Sequence, residues 1–184
     1  MTGMTSGSRH AGGGTLFTEP FLVVSHRAGA AGPGVRDQHG RPLGTVAETD
    51  HGAFRKTLWA LTGSARFRPN CFAVRDSGGS VVLKVRAHDS RFLVTRADGT
   101  PIGGIAPDGP DRFTLSAHGR PAGVLEHRRP REFSITDAAG REVARSAEGD
   151  GRDYVVEVFA QLTDPLASLV IAAALTLDTA LRPG

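Results

Sequence analysis

Cysteine is almost missing: Cys71 is the sole thiol in 184 residues. That excludes an intrachain disulfide and a thiolate metal cage, and it suits a reducing compartment. Lysine is nearly as scarce. Only Lys56 and Lys84 stand among the 22 basic residues, so arginine carries the positive charge. The skew looks like high-GC bacterial coding, which makes the net charge of +3 a weak sign of function. No hydrophobic run reaches the ~20 residues of a membrane span. Residues 1–15 (MTGMTSGSRHAGGGT) hold no apolar run and read as a flexible polar tail, not a secretory signal. Standard enzymatic signatures are also missing: no GxSxG elbow, GxxxxGK phosphate loop, HExxH or CxxC occurs.

The remaining chemistry is thin. Gly29 to Gly34 (GAAGPG) contains Pro33, which would interrupt a nucleotide loop, so a surface turn is expected there. The seven histidines show no ligand spacing, and Cys71 lies in an expected strand with nothing nearby in sequence to activate it. No catalytic centre, cofactor or bound metal is expected.

Glycine, by contrast, is plentiful, at 24 residues, and it is organised. The stretch 35–46 (VRDQHGRPLGTV) recurs in weaker form at 74–85, 94–105, 114–125 and 135–146. The sixth position is always glycine: Gly40, Gly79, Gly99, Gly119 and Gly140. The ninth is always apolar: Leu43, Val82, Ile102, Ala122 and Val143. Each unit reads as a strand, a tight turn and a returning strand, because Asp and Gly at these offsets supply the side-chain bonds and positive φ angles of hairpins. Short strands at regular spacing predict a sandwich or barrel. Phe21 to Arg27 and Asp153 to Ala160 read as two more strands. Phe54, Leu58 and Leu61 share one helical face, so a short helix is expected over 53–63. Asp37, Asp76 and Asp137 each stand alone before a turn, which is hairpin chemistry and not a calcium loop.

The C-terminus changes character. Asp164 as N-cap and Pro165 at the first helical position start a helix expected over 165–181. Leu166, Leu169, Ile171, Leu175 and Leu177 scatter round its whole circumference, so it belongs in a membrane or inside a protein core. Length decides. The 13 uncharged residues from Pro165 to Leu177 span about 20 Å, whereas a bilayer core needs about 30 Å. A core helix is expected, with Ser168, Thr176 and Thr179 returning their hydroxyls to its backbone.

Tandem hairpins of the form apolar-x-Asp-x-x-Gly-Arg-Pro-apolar-Gly, followed by a hydrophobic helix ending in Leu177-Asp178-Thr179-Ala180-Leu181, resemble the phospholipid-scramblase and LURP-one-related family. The fold of that family is that of the tubby C-terminal domain. The resemblance covers about residues 20–181 and implies a closed antiparallel barrel of about twelve strands with the helix through its centre. The expected organisation is a tail over 1–18 and one barrel domain over 19–182. The tenth repeat position is small in four copies (Gly44, Gly103, Gly123 and Ala144, against Leu83). Either these residues face the helix, or glycine there relieves barrel curvature. A barrel so filled would hold no ligand cavity. Scramblases are associated with calcium, but no corresponding acidic segment stands in this sequence, nor do the palmitoylation cysteines and Pro-rich N-terminus of the animal proteins.

Charge offers the one functional lead. Eight basic residues lie between Arg55 and Arg91, against Asp76 and Asp89, and a second knot is His127-Arg128-Arg129-Pro130-Arg131. Arg55, Lys56, Arg66, Arg68, Arg128, Arg129 and Arg131 are therefore the candidate contacts for anionic phospholipid headgroups or a protein partner. Tubby domains bind phosphoinositides through basic surface residues, although no tubby motif matches here residue by residue. The expectation is a non-catalytic barrel in the cytoplasm, peripheral at the inner face of the membrane, with no transmembrane span. Lipid scrambling and nucleic-acid binding through residues 55–91 are the alternatives. The second lacks interleaved aromatics, at 6% of the chain.

Overall fold

Each repeat forms one hairpin. The computed structural model describes residues 15–26, 32–49, 71–129 and 131–180, the last three as backbone alone. The five copies are β2 (Gly34–Arg36) with β3 (Pro42–Thr49), β4 (Cys71–Asp76) with β5 (Val81–His88), β6 (Arg91–Arg96) with β7 (Pro101–Pro107), β8 (Arg112–Ala117) with β9 (Arg120–Arg129), and β10 (Glu132–Asp137) with β11 (Glu142–Glu148). Two further strands, β1 (Phe21–Ser25) and β12 (Tyr154–Val158), complete the set, and α1 (Leu166–Ala180) follows. All pairings are antiparallel between sequence neighbours, except that β1 also pairs with β12 through Leu22↔Val156, which closes the barrel. The helix expected over 53–63 lies outside the described residues.

The turns explain the repeat. In the first, Gly40 N–H donates to the Asp37 carbonyl and Asp37 N–H to the Arg41 carbonyl, with Gly40 at φ 81°. This closes a three-residue loop, a type I turn completed by a glycine in the left-handed region. The Asp37 carboxylate accepts the N–H groups of His39 and Arg41, both at 2.8 Å. Asp76 does the same for Gly78 and Ser80, and Asp137 for Ala139 and Arg141. The fourth turn is one residue shorter: Ala117 pairs with Arg120, and His118 and Gly119 both take positive φ, a type I′ turn. The isolated aspartates are thus occupied by their own turns.

A second rule hides in the ninth repeat position. Val35 pairs with Gly44 and Arg36 with Pro42, so Leu43 has no opposite number. The same skip passes over Val82, Ile102, Ala122 and Val143. Every repeat hairpin therefore carries a β-bulge on its second strand, at the same place, and bulges bend a strand and raise its twist. The burial pattern registers the break in alternation: Leu43 and Gly44 are both buried, as are Val143 and Ala144.

The small tenth position next to the bulge answers chiefly to the neighbouring strand. A Cβ at Gly103 would fall on the Ser116 carbonyl oxygen, with Leu169 Cδ2 of α1 next at 3.1 Å. At Gly123 it would lie 2.5 Å from the Thr136 carbonyl oxygen, with Leu166 Cδ1 at 3.6 Å. At Gly44 it would meet the Arg75 carbonyl and Leu16 Cδ1, and no helix residue. The close approach of the neighbouring strand is thus the first demand at these three glycines, and the helix reinforces it at two. Leu16 also corrects the expected boundary after residue 18. It is 2% exposed, and its turn is closed by Thr18 N–H and Glu19 N–H donating to the Thr15 carbonyl. The place that Gly44 leaves free of a side chain is where its methyl packs.

The helix fills the barrel. Eleven consecutive residues of α1, Ala167 to Leu177, are buried, so no face of that stretch is left to water. Around them close Leu22, Val35, Phe72, Leu83, Phe92, Ile105, Leu115, Leu125, Ile135 and Val156 from the inner faces of ten strands. Each fully buried aliphatic or aromatic side chain contributes on the order of 1.5–3 kcal/mol. Polar contacts locate the helix within the core. The Tyr154 hydroxyl donates to the Ala174 carbonyl at 2.9 Å, and Thr176 Oγ1 returns to the Ala172 carbonyl. At the helix start, Asp164 acts one residue further in than a simple N-cap. Its Oδ1 accepts from Ser168 Oγ at 2.6 Å and from Ser168 N at 3.3 Å, while its Oδ2 accepts from the Arg96 guanidinium at 2.7 Å. Ser168 thus bonds Asp164 and not the carbonyl expected for it. The Asp164–Pro165 peptide is cis. Among the described residues, no helix is long and apolar enough to cross a membrane.

Four carboxyls at the repeat-turn end titrate below their ordinary range. At Asp164 the Ser168 hydroxyl bond is the main cause, with Arg96 adding to it. At Asp137 and Asp98 the turn N–H groups of Arg141 and Thr100 lead. At Asp37 burial works against the charge, and the Arg41 and His39 N–H groups outweigh it. A depressed folded pKa stabilises above the unfolded value of about 3.9 and is lost as pH falls through the folded value.

Two outcomes are expected. Gly103→Ala should cost more than about 2 kcal/mol in urea unfolding, because backbone cannot yield as a side-chain tip can. Gly104→Ala should cost under about 1 kcal/mol, since its nearest neighbour, the Phe92 carbonyl oxygen, stands at 3.3 Å. Equal midpoints would remove the carbonyl as the reason for glycine. Asp164→Asn should lower the midpoint near neutral pH, and the gap to wild type should close as the pH falls below the ordinary carboxylate range and the Asp164 carboxylate takes up its proton. A gap that persists in acid would show that the Asp164 charge contributes nothing.

Candidate anionic-surface site

All repeat turns lie at one end of the barrel, and α1 enters there. The opposite end carries the β5–β6, β7–β8, β9–β10 and β11–β12 connections, together with the strand ends at Thr49 and Cys71 that flank residues 50–70. Arg55, Lys56, Arg66 and Arg68 lie in that stretch, outside the described residues. Of the seven candidate residues, the structure places Arg128, Arg129 and Arg131.

These three form the tip of the β9–β10 hairpin. Glu132 pairs with Arg129, but Phe133 pairs with His127, so Arg128 is a bulge residue at the end of β9. Arg128 and Arg129 are exposed, and Arg131 is half-buried in the left-handed region at φ 66°. The histidine of the knot is no part of this surface. Its ring turns inward between Phe113 and Phe133, at centroid distances of 5.8 and 5.9 Å, edge-on to both.

The acids flanking the tip are taken up unequally. Glu126 accepts from Arg112 at 3.1 Å, and Asp108 also faces Arg112, at 3.4 Å. Glu132 lies 3.9 Å from Arg129. Among the described residues, no carboxylate lies within 4 Å of Arg128. Beneath the tip sits Ser146, a buried β11 residue whose hydroxyl donates to the Arg131 carbonyl at 2.6 Å and accepts from Phe133 N–H at 2.9 Å.

Two further arginines belong to the same rim. Arg86 on β5 lies opposite Cys71 on one side and Leu93 on the other, and Arg91 on β6 lies opposite His88. Both are exposed, and the nearest acid, Asp89, is paired with His88 at 3.0 Å. Alternation in Leu83-Lys84-Val85-Arg86, apolar inward and basic outward, is the signal that could have singled out Arg86. The other basic residues of this wall are held by turn carbonyls: Lys84 Nζ by Ala97 and Arg75 by Gly79.

The rim is polarised. From β5 to β9 is four strands, roughly 20 Å round the wall at about 4.8 Å per strand. Acidic turns interrupt it, with Asp108 and Asp111 between β7 and β8, and Asp150 and Asp153 between β11 and β12. The flanks Thr49 and Cys71 lie five strands from the β9–β10 tip either way round. The described basic residues therefore make two stations on one mouth, Arg86 with Arg91 and the β9–β10 tip, and not a single cluster. Among the described residues, no group of three His, Cys, Asp or Glu side chains is placed to hold a metal ion.

No family model matches this chain, and no curated protein does. A crystal structure of a protein from Arabidopsis thaliana is similar over 84% of this chain and 91% of its own, at 15% identity and a TM-score of 0.56. The similarity shows a shared fold.

Proposed function

We propose that this chain belongs to the phospholipid-scramblase and LURP-one-related family and acts as a non-catalytic barrel docking on anionic phospholipid at the cytoplasmic face of a membrane. The observation that carries the reading is the set of outward arginines at one barrel mouth, with Arg86, Arg91 and Arg128 free of carboxylate partners among the described residues. Near an anionic leaflet each such residue contributes about 1 kcal/mol, and two stations on one rim let a flat surface meet both. Arg55, Lys56, Arg66 and Arg68 complete the candidate set by sequence and lie outside the described residues.

The wall argues for peripheral docking over scrambling. A barrel that spans a bilayer turns an apolar band outward. Here the inner face is apolar, and the outer face carries Lys84, Arg86, Arg112, Glu126, Arg145 and Glu157.

Vesicle flotation tests this. The protein should float with phosphatidylcholine vesicles containing phosphatidylserine and not with phosphatidylcholine alone, and added salt should release it. Arg128→Gln/Arg129→Gln/Arg131→Gln should weaken binding by more than tenfold, at about 1 kcal/mol per charge. Equal binding to neutral vesicles, or no loss in the triple variant, would overturn the assignment of the tip. Flipping of a dye-labelled lipid would instead favour scrambling, and salt-sensitive retention on DNA the nucleic-acid reading.

A further inference from the structure

Three arginines on a hairpin tip make a docking station only if the tip has a fixed place, and the backbone of this tip is weakly tied. The β10–β11 ladder runs through Ser134↔Arg145 and stops. Phe133, the next residue outward on β10, gives its N–H not to a strand carbonyl of β11 but to the Ser146 hydroxyl. The same hydroxyl donates to the Arg131 carbonyl across the turn at 2.6 Å. One side-chain oxygen therefore uses both its donor and an acceptor site on the two residues flanking Glu132, at the point where β9 carries its bulge at Arg128.

Ser146 is buried, on the inward side of the wall opposite Val156, in a barrel whose inner face is chiefly apolar. A buried hydroxyl there costs desolvation unless it is bonded, and the bonds it makes go to the tip. Arg131, itself one of the two bonded residues, takes a positive φ that a non-glycine residue rarely adopts unless its surroundings hold it.

We propose that Ser146 is a positioning residue for anionic-lipid binding: from the barrel interior it fixes the Arg131 carbonyl and Phe133 N–H, and so sets where Arg128, Arg129 and Arg131 stand. It touches no lipid. The proposal rests on the docking reading above and adds to it a residue that charge analysis does not find, since Ser146 carries none.

The test is a double-mutant cycle on phosphatidylcholine–phosphatidylserine vesicles, with fold checked by circular dichroism. Ser146→Ala should bind about fivefold more weakly, the equivalent of one net hydrogen bond, and Ser146→Thr, which keeps the hydroxyl, should bind as wild type does. In the Arg128→Gln/Arg129→Gln/Arg131→Gln background, Ser146→Ala should change nothing further, because there is no charge left to position. Wild-type binding by Ser146→Ala, or an equal loss in both backgrounds, would overturn the proposal, the latter by showing a general structural effect. If Ser146→Ala does not fold, the near-isosteric Ser146→Cys takes its place in the same cycle. If wild type itself ignores anionic vesicles, the docking reading fails on its own, and hydrogen exchange then decides the anchoring. Faster exchange at the Phe133 amide in Ser146→Ala would uphold the anchor, and unchanged exchange would remove it.

Discussion

A closed twelve-stranded wall and a helix with no polar face solve each other's problem. The wall encloses more space than its own side chains can fill, and an empty apolar bore would forfeit dispersion contacts along its whole lining. The helix, in water, would expose Leu169, Ile171, Leu175 and Leu177 in turn. Buried together they form one hydrophobic cluster that draws on every strand and on α1 from Leu169 to Leu177. Details elsewhere follow from how tightly that filling is done.

Tightness shows first in backbone chemistry. Bulges at Leu43, Val82, Ile102, Ala122 and Val143 recur at the same place in every repeat hairpin, and after three of them the next residue, Gly44, Gly103 or Gly123, lies against a carbonyl of the following strand. It shows again in how few polar groups the interior holds and how each is used. The Tyr154 hydroxyl reaches the Ala174 carbonyl, Thr176 bonds its own helix, and Ser146 serves the wall's rim. Arg96 and Asp164 join a repeat turn to the start of the helix outside the core, where solvent reduces the value of the ion pair.

Much of this was legible in the residues and some was not. Glycine at every sixth repeat position marks the turns, because the φ it adopts is one that other residues resist. The all-round apolar helix announced burial. The ninth position was visible only as invariably apolar, since a bulge is a property of pairing between two strands and leaves no mark on one alone. The small tenth position could be read two ways for the same reason: the Ser116 carbonyl beside Gly103 belongs to another hairpin. The tail boundary was set by composition, and a single leucine finding its place against Gly44 moved it. At the candidate site, counting charges found Arg128 and Arg129 but grouped them with His127, whose ring faces the core, and it counted Arg86 and Arg91, which strand alternation turns outward, without choosing them as contacts.

Chain order gives the architecture one more consequence. The hairpins are local and can form as each pair of strands is made, but the plug is the last element and the seam joins the first strand to the twelfth. During synthesis the growing sheet must therefore wait as an open, curved ribbon with its greasy side uncovered. Only when the final turns of α1 leave the ribosome can the ribbon wrap and the two ends meet. Assembly is paced by translation, and a nascent chain stalled before Leu177 is a sheet with two bare edges and nothing to close upon.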